Sequence, residues 1–76
     1  MQWILQDVPL GKNIKRLRKA RKLTQEAVAT QLQLRGSTLS RGALANIEGG
    51  RRNIKASDLK GLKLIFDVEY DEFFRE

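Results

Sequence analysis

Residues 23–53, LTQEAVATQLQLRGSTLSRGALANIEGGRRN, decide the fold. They hold two short amphipathic helices, each with its own start signal. Thr24 caps the first, with Leu23 and Val28 at the two ends of a hydrophobic staple. Ser40 caps the second, and Leu39 and Leu44 repeat the staple. Val28, Ala29 and Leu32 give the first helix an apolar face; Leu44 and Ile47 do the same for the second, placed over residues 41–48. Two short helices so closely linked must cross steeply, which pushes one of them out from the surface of a small domain. A basic glycine turn, Gly49-Gly50-Arg51-Arg52-Asn53, follows.

Working outward, residues 10–22 form a helix with Ile14, Leu17 and the stem of Arg21 on one face, and Pro9 suits its first turn. A fourth helix follows Ala56-Ser57 and buries Leu59, Leu62 and Phe66 at helical spacing. A short fifth helix spans residues 71–75, anchored by Phe73 or Phe74. No stretch reads as a strand, a repeat or a low-complexity linker. The expectation is all-α: a compact five-helix domain over residues 10–76, with helices 2 and 3 as a helix-turn-helix, behind an N-terminal arm of residues 1–9. The arm's apolar start, Met1 to Leu5, either folds back over the domain or meets a partner.

Composition narrows the function. The chain has no cysteine and no histidine, which excludes disulfides and the usual zinc sites. Its apolar stretches are too short to span a bilayer, so a cytoplasmic protein with no membrane partner is expected. Residues 1–55 carry 12 Lys/Arg against 3 Asp/Glu, whereas residues 56–76 carry 3 against 6. A basic front and an acidic back imply an oriented encounter with phosphate. Asp67, Glu69, Asp71 and Glu72 sit where they complement the dipole of the last helix. With no nucleophile and base pair in view, no enzyme, metal, cofactor or small-molecule ligand is expected.

An ordered set of residues carries a family resemblance: Leu10-Gly11, Ile14, Leu17-Arg18, Thr24-Gln25-Glu26, Ala29, Leu32, Leu44, Ile47-Glu48, Gly50-Arg51, Leu59, Leu62, Phe66, Val68, Glu72 and Phe73. Together they resemble the phage Cro/repressor-type helix-turn-helix family, the XRE-like transcriptional regulators. The resemblance implies a repressor-like DNA-binding domain that recognises a double-stranded operator and regulates transcription, as a repressor that blocks or redirects polymerase, with activation as the open alternative. It places Ser40, Arg41, Gly42, Ala43 and Asn46 against base edges, with Gln25, Arg51, Arg52 and Asn53 against phosphates. Arg18 and Glu48 become an internal ion pair that orients the reading helix.

The residue chemistry fits those roles and leaves alternatives open. Arg41 can bond guanine through O6 and N7, and Asn46 can bond adenine through N6 and N7; each also suits a plain polar surface. Gly42 costs roughly 0.5–1 kcal/mol in a helix interior and needs a reason, such as close approach to DNA. Lys12, Lys15, Arg16, Lys19 and Lys22 read as a solvated face that adds long-range attraction. One departure is Gln33, which stands where the family has a turn glycine. The connection that follows is longer than usual; helix 2 stops at Gly36, and Arg35 and the loop are either solvated or add a backbone contact.

A homodimer is expected, because one short helix reads few base pairs. Leu64, Tyr70 and Phe74, beside Ile65, are the residues the core does not fully claim, and they form the candidate dimer surface. The competing function is a protein-interaction module, such as an antitoxin or adaptor bound to a partner protein.

Overall fold

The computed structural model describes residues 9–76 and the backbone of Trp3 and Ile4. Among these residues the elements are β1 (Trp3–Ile4), α1 (Leu10–Ala20), α2 (Gln25–Leu34), α3 (Arg41–Glu48), β2 (Ile54–Lys55), α4 (Ala56–Phe66) and a 3-10 turn (Tyr70–Phe74).

Both cap signals operate. The Thr24 hydroxyl oxygen accepts from the Ala27 amide at 3.0 Å, and that of Ser40 accepts from the Ala43 amide at 3.1 Å. Each satisfies one of the amides a helix start leaves without a partner. All four α-helices stop the same way, through a residue at positive φ: Lys22 (57°), Gly36 (96°), Gly50 (76°) and Asp67 (55°). The next amide then reaches back to the last turn: Leu23 to Arg18 O at 3.1 Å, Ser37 to Leu32 O at 3.1 Å, Arg51 to Asn46 O at 2.9 Å, Val68 to Lys63 O at 3.3 Å. This is the Schellman closure. It shortens α1 to Ala20 and lets α2 run to Leu34.

Two expectations about secondary structure need correction. The fifth helix is a 3-10 turn from Tyr70 to Phe74, so the described residues form four α-helices. The segment is too short to pay for helix nucleation by propensity alone, and packing holds it instead. Phe73 is its anchor: it is fully buried and stacks on Phe66 with ring centroids 6.3 Å apart, whereas Phe74 is exposed. The second correction is a strand pair. Trp3–Ile4 runs antiparallel to Ile54–Lys55, with Trp3 opposite Lys55 and Ile4 opposite Ile54. Two residues are too few for alternation to show in a sequence. The rest of the expected arm, residues 1–2 and 5–8, lies outside the described residues.

The core lies where all four α-helices converge. Ile14, Val28, Leu32, Leu44, Ile54, Leu62, Phe66 and Phe73 are essentially inaccessible to solvent. Each such side chain contributes about 1.5–3 kcal/mol by burial. The stem of Arg21, expected on the apolar face of α1, is exposed; its guanidinium donates to Asp67 O at 3.2 Å.

Close approach fixes α1 against α3. A Cβ at Gly11 would collide with Ile47 O and stand 2.8 Å from Glu48 O. Only glycine lets the first turn of α1 lie on the carbonyl end of α3.

Candidate nucleic-acid interface

The inward face of α3 consists of Ala43, Leu44, Ile47 and Glu48, and its outward side of Arg41, Gly42 and Asn46, with Ala45 half-buried. Ser40, at the cap, is exposed. Ala43 therefore departs from expectation. It is 6% exposed and part of the core, because it sits four residues before Ile47 and shares that residue's face. Its methyl packs within the core cluster.

Gly42 lies on the same side as Asn46, four residues on. A Cβ there would meet nothing nearer than Ser40 Oγ at 4.0 Å. The fold thus accommodates a side chain at this position and does not account for the glycine. The contrast with Gly11 separates a glycine the packing requires from one it does not.

At the end of α3, Arg18 and Glu48 form a two-point ion pair. Arg18 Nε donates to Glu48 Oε2 at 2.8 Å and a terminal nitrogen to Oε1 at 3.1 Å. The other terminal nitrogen donates to Leu23 O at 2.8 Å. The pair therefore ties the end of α3 to α1 and to the α1–α2 turn. The guanidinium also offsets what would otherwise be an unfavourable negative charge at the C-terminus of α3.

Gln25 joins this unit. Its Nε2 donates to Glu48 Oε1 at 3.0 Å, which leaves a second N–H and the amide oxygen for another partner. Arg51 folds over the C-terminus of α3 and donates from Nε to Asn46 Oδ1 at 3.2 Å. Arg52 is exposed and Asn53 half-buried. Gln25, Arg41, the α1 lysines Lys15 and Lys19, and Lys22 in the following turn line one open groove, while Gly49 and Gly50 line a second with Lys12 and Lys15. Leu64, Tyr70 and Phe74 are exposed, at 49%, 40% and 41%, on α4 and the 3-10 turn, and Lys63 Nζ lies 5.5 Å from the Tyr70 ring centre. Ile65 is partly buried against the core.

Several positioning residues escaped the sequence reading. Asn13 is buried on α1 and donates to Phe73 O at 2.8 Å and Arg75 O at 2.7 Å, clamping the 3-10 turn. A polar residue beside Ile14 on an otherwise apolar face was its only signal. The long connection is likewise pinned. Ser37 Oγ donates to Asp58 Oδ1 at 2.7 Å and accepts from the Leu39 amide at 3.0 Å, and Gln33 Nε2 donates to Leu39 O at 2.9 Å. Gln33, standing in place of the turn glycine, thus braces the loop that delivers Ser40. Arg35 remains exposed at the end of α2, next to Leu34 at 82% exposure.

Among the described residues no group of acidic or sulfur ligands could hold a metal ion, and no helix is long and apolar enough to cross a membrane.

A family model described as a helix-turn-helix domain matches residues 11–76. Among solved structures, the fold is similar to the restriction-modification controller protein C.AhdI from Aeromonas hydrophila. The TM-score is 0.75 at 30% sequence identity, over 88% of this chain and 94% of that one. No curated protein matches the sequence.

Proposed function

This chain belongs to the XRE-type helix-turn-helix family of DNA-binding transcription regulators, and from that premise we propose that it represses transcription by seating α3 in the major groove of an operator. Arg41 and Asn46 read base edges, and Ser40 assists with the proton its capping role leaves unused. Gln25, Arg51, Arg52 and Asn53 grip phosphates on either side and set the register. The observation that supports this reading best is Gly42. It sits between the two candidate readers, costs helix stability and has no packing reason, so a close-fitting external surface explains it. A module that binds only a partner protein has no use for a basic reading face of this kind.

The protein acts as a homodimer through Leu64, Tyr70 and Phe74, since an eight-residue helix spans only about 12 Å and meets few base pairs. The likeness to a restriction-modification controller supports genes of such a system as the regulated target.

Selection of bound duplexes from a random pool, followed by sequencing, tests the proposal. The wild type is expected to enrich one motif, and Arg41→Ala to lose preference at one base pair with a cost of about 1–3 kcal/mol. An equal loss on selected and random duplexes assigns Arg41 to phosphate and removes it from base reading.

A further inference from the structure

The lysines of α1 have no role in the reading above, and their arrangement is specific. Lys12, Lys15 and Lys19 are exposed and spaced three and four apart, so they share one side of the helix, and Lys22 continues the row in the closing turn. None of the described ion pairs uses them: the carboxylates in those pairs, Glu48 and Glu72, are engaged by Arg18, Arg16 and Arg75. Like charges at this spacing repel one another within the helix.

Their position relative to α3 matters more than their number. The N-terminal half of α1 and the C-terminal end of α3 enclose a groove of about 450 Å³, lined by Lys12, Lys15, Gly49 and Gly50. Glu48 also reaches it, but its charge is met by Arg18. The other half of α1 faces a groove of about 550 Å³ lined by Lys15, Lys19, Lys22, Gln25 and Arg41. Glu26 is the acid on that wall, one carboxylate against five cations, of which Arg18 is paired with Glu48. Lys15 belongs to both grooves. The row therefore accompanies α3 from its last turn to its first, at a separation set by the contact of Gly11 with the Ile47 and Glu48 carbonyls.

We infer that Lys12, Lys15 and Lys19 form a second phosphate-binding edge that grips the DNA backbone flanking the groove occupied by α3. This deepens the operator-binding reading and rests on it. The edge differs from the Gln25 and Gly-Gly-Arg-Arg contacts in using ammonium groups alone, with no backbone amide or helix N-terminus. It adds affinity for any duplex and contributes no base preference.

The test is a salt series, measured by fluorescence anisotropy on a selected and a random duplex. The variant Lys12→Gln/Lys15→Gln/Lys19→Gln is expected to lower the magnitude of the log-affinity against log-salt slope by about two to three units on both. The enriched motif should be unchanged, while Lys60→Gln, on α4, should leave the slope as it is. If the triple variant melts early, Lys15→Gln alone should lower the slope by about one. An unchanged slope with a slower association rate overturns the proposal and reduces the row to long-range steering. Loss of operator preference in the wild type would instead count against α3 as the reading helix, and the slope would still decide the lysine edge.

Discussion

Arg51 donates its Nε hydrogen to the side-chain oxygen of Asn46, 3.2 Å away, and so couples the basic turn to the outward face of α3. The oxygen it holds is the one an adenine amino group would use, so the two donors would share its lone pairs. The bond is exposed and contributes modestly, about 0.5–1.5 kcal/mol. The two residues should therefore not act independently on DNA. Arg51→Ala is expected to lower the salt slope by roughly one unit. In a double-mutant cycle with Asn46→Ala, operator affinities should depart from additivity by about 0.5 kcal/mol or more. Additive losses would show that Arg51 serves phosphate alone.

The glycines of α1 and α3 predict opposite outcomes for the same change. Gly42→Ala meets open space and should stabilise the fold by about 0.5–1 kcal/mol while weakening operator binding. Gly11→Ala drives a methyl into the Ile47 and Glu48 carbonyls and should cost about 1–3 kcal/mol or more. Thermal melts paired with binding measurements check both. A Gly42→Ala variant that binds as well as the wild type removes close approach as the reason for that glycine.

The pair Arg18–Glu48 has side chains only 10% and 3% exposed. Glu48→Ala leaves a guanidinium buried without its partner, an expected loss of about 3–5 kcal/mol. Gln25 loses its anchor in the same variant. Replacing both charges together, Arg18→Met with Glu48→Leu, should recover most of the stability, because the desolvation penalty disappears with the pair. Urea titration of the single and double variants reads the difference. A double variant as unstable as the single one would show that removing the buried charge does not restore the fold, and that the helices depend on the hydrogen bonds Arg18 makes to Glu48 and Leu23 O.

What could be read from the chain follows from which signals are local. Thr24 and Ser40 announce their helices because a cap acts within three residues, and Leu44, Ile47, Leu62 and Phe66 announce the core because periodicity marks a buried face. Ala43 was misplaced because a small side chain fits either face, and only the angle shared with Ile47 decides it. The brace of Ser37 on Asp58 and the clamp of Asn13 on Phe73 and Arg75 join residues 21 to 62 positions apart. No local pattern encodes such bonds. The strand pair and the 3-10 turn are likewise products of tertiary packing on segments too short to carry a period.

The exposed apolar residues Leu64, Tyr70 and Phe74 yield the last prediction. A lone exposed leucine is ordinary on any protein surface. Here Leu64, half exposed on α4, is accompanied by two aromatic side chains on the next element. Tyr70 has Lys63 over its ring, so its exposed remainder and Phe74 are what a partner would cover. Two copies joined there by a two-fold axis present two α3 helices to one side of a duplex, on half-sites about 34–36 Å apart. The enriched motif should then show inverted symmetry at that spacing. Leu64→Glu places a charge on the contact without touching the core, so it should shift sedimentation from dimer to monomer and leave the melting temperature of the domain nearly unchanged. Affinity for the full operator should fall, while affinity for an isolated half-site stays near its original value. A wild type that sediments as a monomer at binding concentrations and selects an asymmetric motif would leave a single domain reading a single site.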